Sequence, residues 1–451
     1  MGQISVVLVA GLVFLLSFEP SQRSGEINQL LTLIVTVTVT VLPAVLVYFL
    51  GSYATRTLPA NQTDRVRQLY LLKRATIVFE FLILIGFACD IYLLDLPLLI
   101  DQKFEWLPLT DAHQILAIAP LIIGLMLIRL ALYEIDQKTE GRGWKRGEFI
   151  SFHLKFLLLP LLPLFTYLGL LDLIEHFPLL AKHTYLPIAV MVSLILLAYI
   201  YAPLLLGFIW RTAPLADANL RSRLHRLAAR HRIKYKSIVV WQTKSLAIAN
   251  AAVAGIAPWA RQIFLTDALL RNFSDDEIET IVAHEFGHVR YKHMLTYLIF
   301  SFAYFLSYTI FYIYIEQPIT SMFPPSPVLS SIGVILFFVL YFVILFRYLS
   351  RRFEHQADLY AIAVTGKPEA LKSALSRLAH LNYIPRSIQR LFELFHTHPS
   401  TERRVECIDR LKTGHPSALC YQNYLLEVKI LLVLLPILTL ILFFSDLSRL
   451  G

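Results

Sequence analysis

Cysteine and charged residues are both scarce in this chain, and each scarcity excludes a class of protein. The 451 residues include three cysteines, Cys89, Cys407 and Cys420, and their spacing contains no C-x-x-C pair. A disulfide framework and a cysteine-ligated zinc site are therefore not expected. Only 16% of the residues are charged, whereas 57% are hydrophobic. A soluble protein of this size does not have such a composition.

Long apolar runs account for this composition, and most of them reach the roughly 20 residues that a membrane-crossing helix needs. The nine runs are Ile4–Phe18, Leu30–Leu50, Ala75–Ile100, Ile115–Tyr133, Ile150–Ile174, Leu186–Trp210, Leu295–Ile315, Val328–Tyr348 and Val428–Phe444. The first run is short and lacks both a basic start and an A-x-A-like cleavage site, so we interpret it as a retained signal anchor. The expected fold class is a predominantly α, polytopic membrane protein with about nine transmembrane helices.

The distribution of lysine and arginine predicts how these helices are oriented. Two loops are basic: Ser52–Arg74 and Ile135–Phe149. Three others carry one basic residue or none: Asp101–His113, Glu175–Tyr185 and Glu316–Pro327. Because basic loops stay on the cytoplasmic side, the two long polar stretches, Arg211–Met294 and Ser350–Glu427, are expected on that side as well.

The alternation of apolar runs and polar stretches divides the chain into five parts. They are an N-terminal membrane domain of about six spans (1–210), two halves of a polar domain (211–294 and 350–427), a transmembrane hairpin between them (295–349) and a C-terminal span (428–451). The polar domain begins with the basic run "RTAPLADANLRSRLHRLAARHRIKYK". A nucleic-acid contact is one interpretation of this run, but an anchor beside anionic lipid of the bilayer is preferred, so no nucleic-acid partner is expected.

Local patterns predict the secondary structure of the polar domain. A helix is expected over Leu220–Arg230, followed by three short strands within "YKSIVVWQT", "SLAIANAAVAG" and "RQIFLTDALL". Ser274 and Glu277 form a capping-box pattern, which starts a helix near Asp275 that could continue towards the membrane segment at Leu295. The segment "RRFEHQADLYAIAV" is also helical in its pattern.

The first of these predicted helices carries "HEFGH", an H-E-x-x-H metal motif. His284 and His288 are four residues apart, which places them on one helix face about 6 Å apart along the axis. Two imidazoles at this spacing can share a zinc ion, and Glu285 would flank it as the general base that acts on the zinc-activated water. A structural metal site or a polar stripe on a helix is the alternative.

The second helix supplies the remaining groups that a zinc site needs. Glu354 and Asp358 are also four residues apart. Glu354 is the predicted third ligand, while Asp358 would accept the outer N–H of a ligating histidine. The alternative is an acidic pair on a solvated helix face. His293 lies five residues after His288, about 140° round a regular helix, so it is not expected to bind zinc; the same holds for His355.

These motifs resemble those of the membrane-embedded zinc metalloproteases that include the type-I CAAX prenyl proteases and the HtpX heat-shock proteases. In those families an H-E-x-G-H helix and an E-x-x-A-D helix are separated by a transmembrane hairpin. Here the motifs are "HEFGH" and "EHQAD", which include Gly287 and Ala357. The resemblance implies a gluzincin-type α+β zinc protease domain with one zinc ion per chain.

Two further motifs extend the resemblance over roughly Arg211–Leu411. "THPSTERR" is similar to the family's H-P…R motif, and it implies that His398 donates to the oxyanion while Arg404 orders the site. Without the resemblance, His398 would be a routine turn residue. "ANAAVAG" is similar to the family's edge-strand motif. The residues that would pair with a substrate backbone are Asn250, Ala251, Ala252, Val253, Ala254 and Gly255.

The function that the resemblance implies is an integral-membrane zinc endopeptidase. It would hydrolyse membrane-associated or lipid-modified proteins at the cytoplasmic membrane face, and HtpX-like quality control of membrane proteins is the alternative. A polytopic transporter or sensor with a structural zinc site is a rival from another class, but it would not need Glu285. Two acids within predicted spans, Glu80 and Asp90, could line a polar chamber or be buried structural groups.

Overall fold

The computed structural model describes residues 28–59, 61–104, 116–140, 145–158, 161–183, 186–210, 212–243, 249–322, 327–382, 384–388, 398–412 and 430. The predicted spans Ile4–Phe18 and Val428–Phe444 lie outside these residues, apart from Ile430. The chain divides into two compact units. One consists of residues 1–198 with 326–335, and the other of residues 199–325 with 336–451.

The described part of the first unit is helical. Its helices are α1 (Gln29–Arg56), α2 (Gln62–Tyr92), α3 (Leu96–Lys103), α4 (Ala119–Glu140), α5 (Arg146–Leu158), α6 (Leu161–His176), α7 (Pro178–Ala181) and the first part of α8 (Leu186–Ile209). Val47, Phe87 and Leu121 belong to its apolar core. Glu80 is buried and forms an ion pair with Arg129, which supports the structural interpretation of this acid.

The second unit holds the polar residues together with further apolar helices. Its elements after α8 are β1 (Thr212–Pro214), α9 (Ala218–Arg230), β2 (Ser237–Trp241), β3 (Ala251–Ala254), β4 (Gln262–Thr266), α10 (Asp267–Asn272), α11 (Asp275–Arg290), α12 (His293–Phe311), a π-helix (Tyr312–Glu316), α13 (Gln317–Thr320), α14 (Pro327–Phe338, shared with the first unit), a second π-helix (Val339–Leu345), α15 (Phe346–Thr365), α16 (Pro368–Leu381) and α17 (Thr401–Lys412).

Among the described residues, four of the nine predicted membrane segments coincide with helices that are long and apolar enough to span a membrane, or five if a bent pair is counted as one span. Four such helices cover Gln29–Arg56, Arg67–Tyr92, Ala189–Gly207 and Ile332–Thr365. The pair α5 and α6, bent by 50°, makes a fifth if it counts as one span. The described chain is therefore mostly helical with several apolar helices, and the count of nine spans stays a prediction.

The sheet of the second unit has the strand order β1-β2-β4-β3. β2 and β4 are parallel, whereas β1 and β3 pair with their neighbours in antiparallel fashion. The three predicted strands are confirmed, but the three-residue β1 was not predicted because it is too short to show an alternating pattern. Within the described sheet β3 is an edge strand.

The start of α11 confirms the predicted capping box. The Ser274 backbone N–H donates to Glu277 Oε2 at 2.9 Å, and the Glu277 backbone N–H donates to Ser274 Oγ at 3.4 Å. The Glu277 carboxylate also accepts hydrogen bonds from Ser373 and Arg377 of α16, at 2.7 and 3.0 Å. Glu277 thus caps the start of α11 and also joins this helix to α16.

The end of α11 corrects a prediction. The helix does not continue towards Leu295 but ends at Arg290, and a new helix begins at His293. Between them Lys292 has a φ of 57°, in the left-handed region that interrupts an α-helix. Residues after this break therefore do not keep the angular positions that a regular helix would give them.

Candidate metal centre

Three of the predicted ligands converge between α11 and α15. His284, His288 and Glu354 each offer one ligand atom, and these atoms all lie within 4.8 Å of one another. The two histidine Nε2 atoms are 3.2 Å apart. The Glu354 oxygens lie 3.4 Å from the Nε2 of His284 and 3.5 Å from that of His288. All three side chains are buried or nearly so, and polar groups in such a position need partners.

The donor set fits a zinc ion. Tetrahedral coordination at about 2.0–2.2 Å places ligand atoms roughly 3.3–3.6 Å apart, and the three observed separations are close to this size. The Nδ1 atoms of both histidines are hydrogen-bonded elsewhere, so their Nε2 atoms face each other and a carboxylate. Three groups that can act as acceptors and are directed at one point favour a cation between them.

Asp358 and Arg404 contact the Nδ1 atom of His284, the ring nitrogen that faces away from the other two ligands. His284 Nδ1 donates to Asp358 Oδ1 at 2.8 Å, which leaves Nε2 as the acceptor. Arg404 of α17 binds the same carboxylate with two nitrogens, at 2.6 and 2.8 Å, and its NH2 group is 3.4 Å from His284 Nδ1. Arg404 therefore contacts the carboxylate that holds His284, and its role in ordering the site stays a prediction.

The two ligand histidines differ in their electrostatic surroundings. Burial acts to lower the pKa of His284, but the carboxylates of Asp358 and Glu354 outweigh it and raise that pKa to about 10. Burial lowers the pKa of His288 to about 4, although Glu354 opposes the change. Without a metal ion, the proton of the cluster therefore resides on His284.

Glu285 lies between the ligand pair and the sheet. Burial raises its pKa to about 7, with His284 opposing and Glu354 adding to the rise. Its Oε2 accepts a hydrogen bond from the Val253 backbone N–H of β3 at 3.2 Å. A carboxylate whose pKa is near neutrality can both take up and release a proton at physiological pH.

The free edge of β3 is turned towards this carboxylate. The Val253 N–H bonds to Glu285, and the Ala251 N–H bonds to the Asn250 side chain at 3.0 Å, so neither donates to β4. Because backbone groups of a strand alternate in direction, these N–H groups are available to a chain that lies along the edge. Gly255 ends the strand with a φ of 105°, which glycine adopts without strain.

His398 approaches the cluster from the other side. Its Nδ1 is 2.9 Å from Glu354 Oε2, yet 63% of its side chain is exposed. It precedes α17, which also carries Arg404. The structure thus brings every predicted site residue into one region, although the role of His398 stays a prediction.

One histidine beside the cluster, His293, makes a contact that the sequence did not predict. His293 Nδ1 lies 2.9 Å from His288 Nδ1, on the side of that ring away from Glu354. It is not among the three converging ligands, but it contacts one of them directly. Spacing could not reveal this contact, because the break at Lys292 turns His293 back towards His288.

Comparison with known proteins adds three findings. Residues 214–412 match the model of peptidase family M48. A probable CAAX prenyl protease 1 of Schizosaccharomyces pombe is 29% identical over 232 residues, which cover 48% of this chain and 47% of that protein. A protease HtpX homologue of Campylobacter concisus is 30% identical over 189 residues, covering 37% of this chain and 65% of that protein.

A solved structure is similar in fold. The crystal structure of S. mikatae Ste24p has a TM-score of 0.55 and 19% identity, and the match covers 84% of this chain and 99% of that one. The chain spans about half the length of the curated CAAX prenyl proteases that it matches. The resemblance stated from the sequence motifs is confirmed by these matches.

Proposed function

We propose that the protein is an integral-membrane, zinc-dependent endopeptidase, since residues 214–412 match the model of peptidase family M48. One zinc ion per chain would be held by His284, His288 and Glu354. The observation that carries this proposal is the convergence of three ligand atoms within 4.8 Å, with Glu285 on the same helix as two of them. A structural zinc site has no need of a buried carboxylate at that position.

The chemistry follows from the groups around the ligands. Zinc in a site of this kind lowers the pKa of water to near neutrality and polarises a carbonyl group. Glu285 takes the proton from the attacking water and passes it to the leaving amine. His398 donates a hydrogen bond to the oxyanion that develops on the scissile carbonyl.

The substrate backbone binds along β3. An extended peptide that pairs with the edge strand would accept hydrogen bonds from the N–H groups of Ala251 and Val253. The small side chains of Ala252 and Ala254 leave room for its approach. The Val253 N–H that now bonds to Glu285 would turn to the substrate, which leaves Glu285 free to bind water.

We propose that the substrates are membrane-associated or lipid-modified proteins, cut at the cytoplasmic face. Glu354 lies on the apolar helix Ile332–Thr365, and α12 begins three residues after α11 ends. One ligand of the metal centre thus lies on a membrane-length helix, and the other two are followed directly in the chain by the apolar helix α12. The basic loops Ser52–Arg74 and Ile135–Phe149 support the cytoplasmic assignment.

Quality control of membrane proteins is the second candidate, since an HtpX homologue is as similar to this chain as the prenyl proteases are. The two candidates differ in what is cleaved. A processing enzyme cuts a short lipid-anchored segment, whereas a quality-control enzyme cuts unfolded membrane proteins at many positions.

The test uses the full-length protein in liposomes, with a fluorogenic peptide that is either free or tethered to the bilayer by a lipid group. We expect the zinc-loaded protein to cut the tethered peptide faster than the free one, and Glu285→Gln to cut neither. Cleavage of an unfolded membrane protein alone would favour quality control. No cleavage of any substrate by the zinc-loaded protein would favour the transporter or sensor and contradict the proposal.

A further inference from the structure

His293 lies next to the ligand His288, on the side of that ring that faces away from the other two ligands. Its side chain is fully buried, and its ring stacks on Phe353 with 3.9 Å between centroids and 5° between planes. Both ring nitrogens make polar contacts. Nδ1 lies 2.9 Å from His288 Nδ1, and Nε2 lies 2.9 Å from Gln356 Oε1.

These two contacts fix the positions of the hydrogens. The side-chain oxygen of Gln356 can only accept a hydrogen bond, so His293 Nε2 must donate to it. A histidine that binds zinc through Nε2 carries its hydrogen on Nδ1, so His293 Nδ1 must be the acceptor of this contact and His293 must be neutral. His288 must then donate from its own Nδ1, and its Nε2 is left as a lone pair on the side that faces Glu354.

We propose that His293 is a positioning residue that holds His288 in the tautomer and ring orientation that bind zinc, with Gln356 fixing the tautomer of His293 in turn. This inference rests on the proposed zinc-dependent function. In this arrangement His293 is the hydrogen-bond partner of His288 Nδ1, just as Asp358 is the partner of His284 Nδ1. The two partners differ, because His288 is held by a neutral chain of hydrogen bonds that ends in an amide.

The break in the chain at Lys292 is part of this arrangement. In an uninterrupted helix the residue five positions after His288 would point about 140° away from it. The left-handed conformation of Lys292 ends α11 and brings His293 to the start of α12, where its ring reaches back to His288. The first residue of α12 is thereby tied to the metal centre.

The test measures zinc affinity of the detergent-solubilised, full-length protein by competition with a chelator. Loss of such an outer partner typically weakens metal binding about 10- to 100-fold, so His293→Phe, which keeps the stacking on Phe353, should bind zinc that much less tightly. His293→Asn should bind more tightly than His293→Phe, because its side-chain oxygen can lie near the former Nδ1 position. Absorption of the cobalt-substituted proteins reports any change in ligand geometry.

Two substitutions of Gln356 test the same hydrogen bonds without changing His293 itself. Gln356→Glu keeps an acceptor for His293 Nε2 and should retain native affinity within a few-fold, whereas Gln356→Met removes the acceptor and should weaken zinc binding. His225→Phe is the control, since His225 lies on α9 with its Nδ1 3.2 Å from the Tyr235 hydroxyl. That variant should bind zinc as the native protein does.

The outcomes separate this inference from the proposed function. Native zinc affinity in both His293→Phe and Gln356→Met would overturn the positioning role while leaving the zinc site intact. Equal losses in His293→Phe and His293→Asn would point to packing and would also overturn it. If the native protein bound zinc no better than His284→Ala, the zinc-dependent function itself would fail. If His293→Phe does not fold, the Gln356 pair decides.

Discussion

Gly287 and Ala357 bring the two metal-bearing helices into backbone contact. A Cβ atom added at Gly287 would lie 2.8 Å from Ala357 Cα and 3.1 Å from Ala357 Cβ. These residues lie beside His288 on α11 and between Glu354 and Asp358 on α15. The distance between α11 and α15, and hence the separation of the ligands, is set at this contact.

We expect Gly287→Ala to force the helices apart, because the obstructing atom belongs to the backbone. Overpacking of this kind costs about 1–3 kcal/mol of stability. Zinc affinity should fall as well, since Glu354 would move away from the histidine pair. Thermal unfolding and chelator competition measure the two effects.

Gly147→Ala is the matched control for this substitution. Gly147 also lies in a helix, but an added Cβ meets nothing within 4 Å there. Removing a helical glycine should then leave stability unchanged or raise it by up to about 1 kcal/mol. Equal stability and zinc affinity in both variants would contradict the close-contact argument.

Arg404 should not be replaceable by lysine. The guanidinium binds Asp358 with two nitrogens in a planar arrangement that a single ammonium group cannot reproduce. We expect Arg404→Lys to weaken zinc binding about 10- to 100-fold, because Asp358 would orient His284 less strictly. Arg410→Lys, an exposed position on the same helix, should bind zinc normally. Equal affinities of the two variants would show that Arg404 does not order the site.

Zinc binding should release a proton from His284. The carboxylates of Asp358 and Glu354 raise the pKa of His284 from 6.5 to about 10, so the metal-free folded protein keeps this proton at pH 8.5, and zinc must displace it. The stability that this proton gives the metal-free fold is complete below pH 6.5 and is lost as the pH rises through about 10. Calorimetry in two buffers of different ionisation enthalpy should find, at pH 8.5, about one proton from His284 per zinc, in addition to any proton that the zinc-bound water releases.

Asp358→Asn provides the comparison for the proton measurement. Removal of that carboxylate lowers the pKa of His284, so the number of protons released at pH 8.5 should decrease. If the native protein released no more protons per zinc at this pH than Asp358→Asn does, the assignment of the raised pKa to His284 would be wrong.

Membrane topology is predicted by the basic loops and the nine apolar segments. A reporter fused after Arg146 should be cytoplasmic, and one fused at Gly451 should lie on the opposite side. Accessibility of each reporter to a membrane-impermeant reagent distinguishes the two sides. A cytoplasmic reporter at Gly451 would mean that one span at either end of the chain has been miscounted.

Those parts of the site that depend on local spacing could be predicted from the sequence. The capping box fixes the start of α11, and the four-residue spacing of His284 and His288 fixes their common face. The same spacing predicted that Glu354 and Asp358 act together. Their approach to α11 is a long-range contact that spacing does not show, so it was inferred from the number of ligands that a zinc site needs and from the resemblance to a family.

The features that were missed depend on backbone conformations without a sequence pattern. Lysine rarely adopts the left-handed conformation, so the residue type at position 292 does not predict that α11 ends there. The contact between His293 and His288 depends on that break. Similarly, the π-helix Val339–Leu345 joins α14 to α15, and its apolar sequence is indistinguishable from that of an α-helix.

The central claim is that Glu285 moves a proton during peptide hydrolysis without binding the metal. The most direct test is single-turnover cleavage of a quenched peptide by native protein and Glu285→Gln, with zinc content measured on the same samples. We predict one zinc per chain in both proteins and a rate that falls by at least about 10²–10⁴-fold in the variant. Native cleavage rates in zinc-loaded Glu285→Gln would contradict the account and mark the HEFGH helix as a structural metal site.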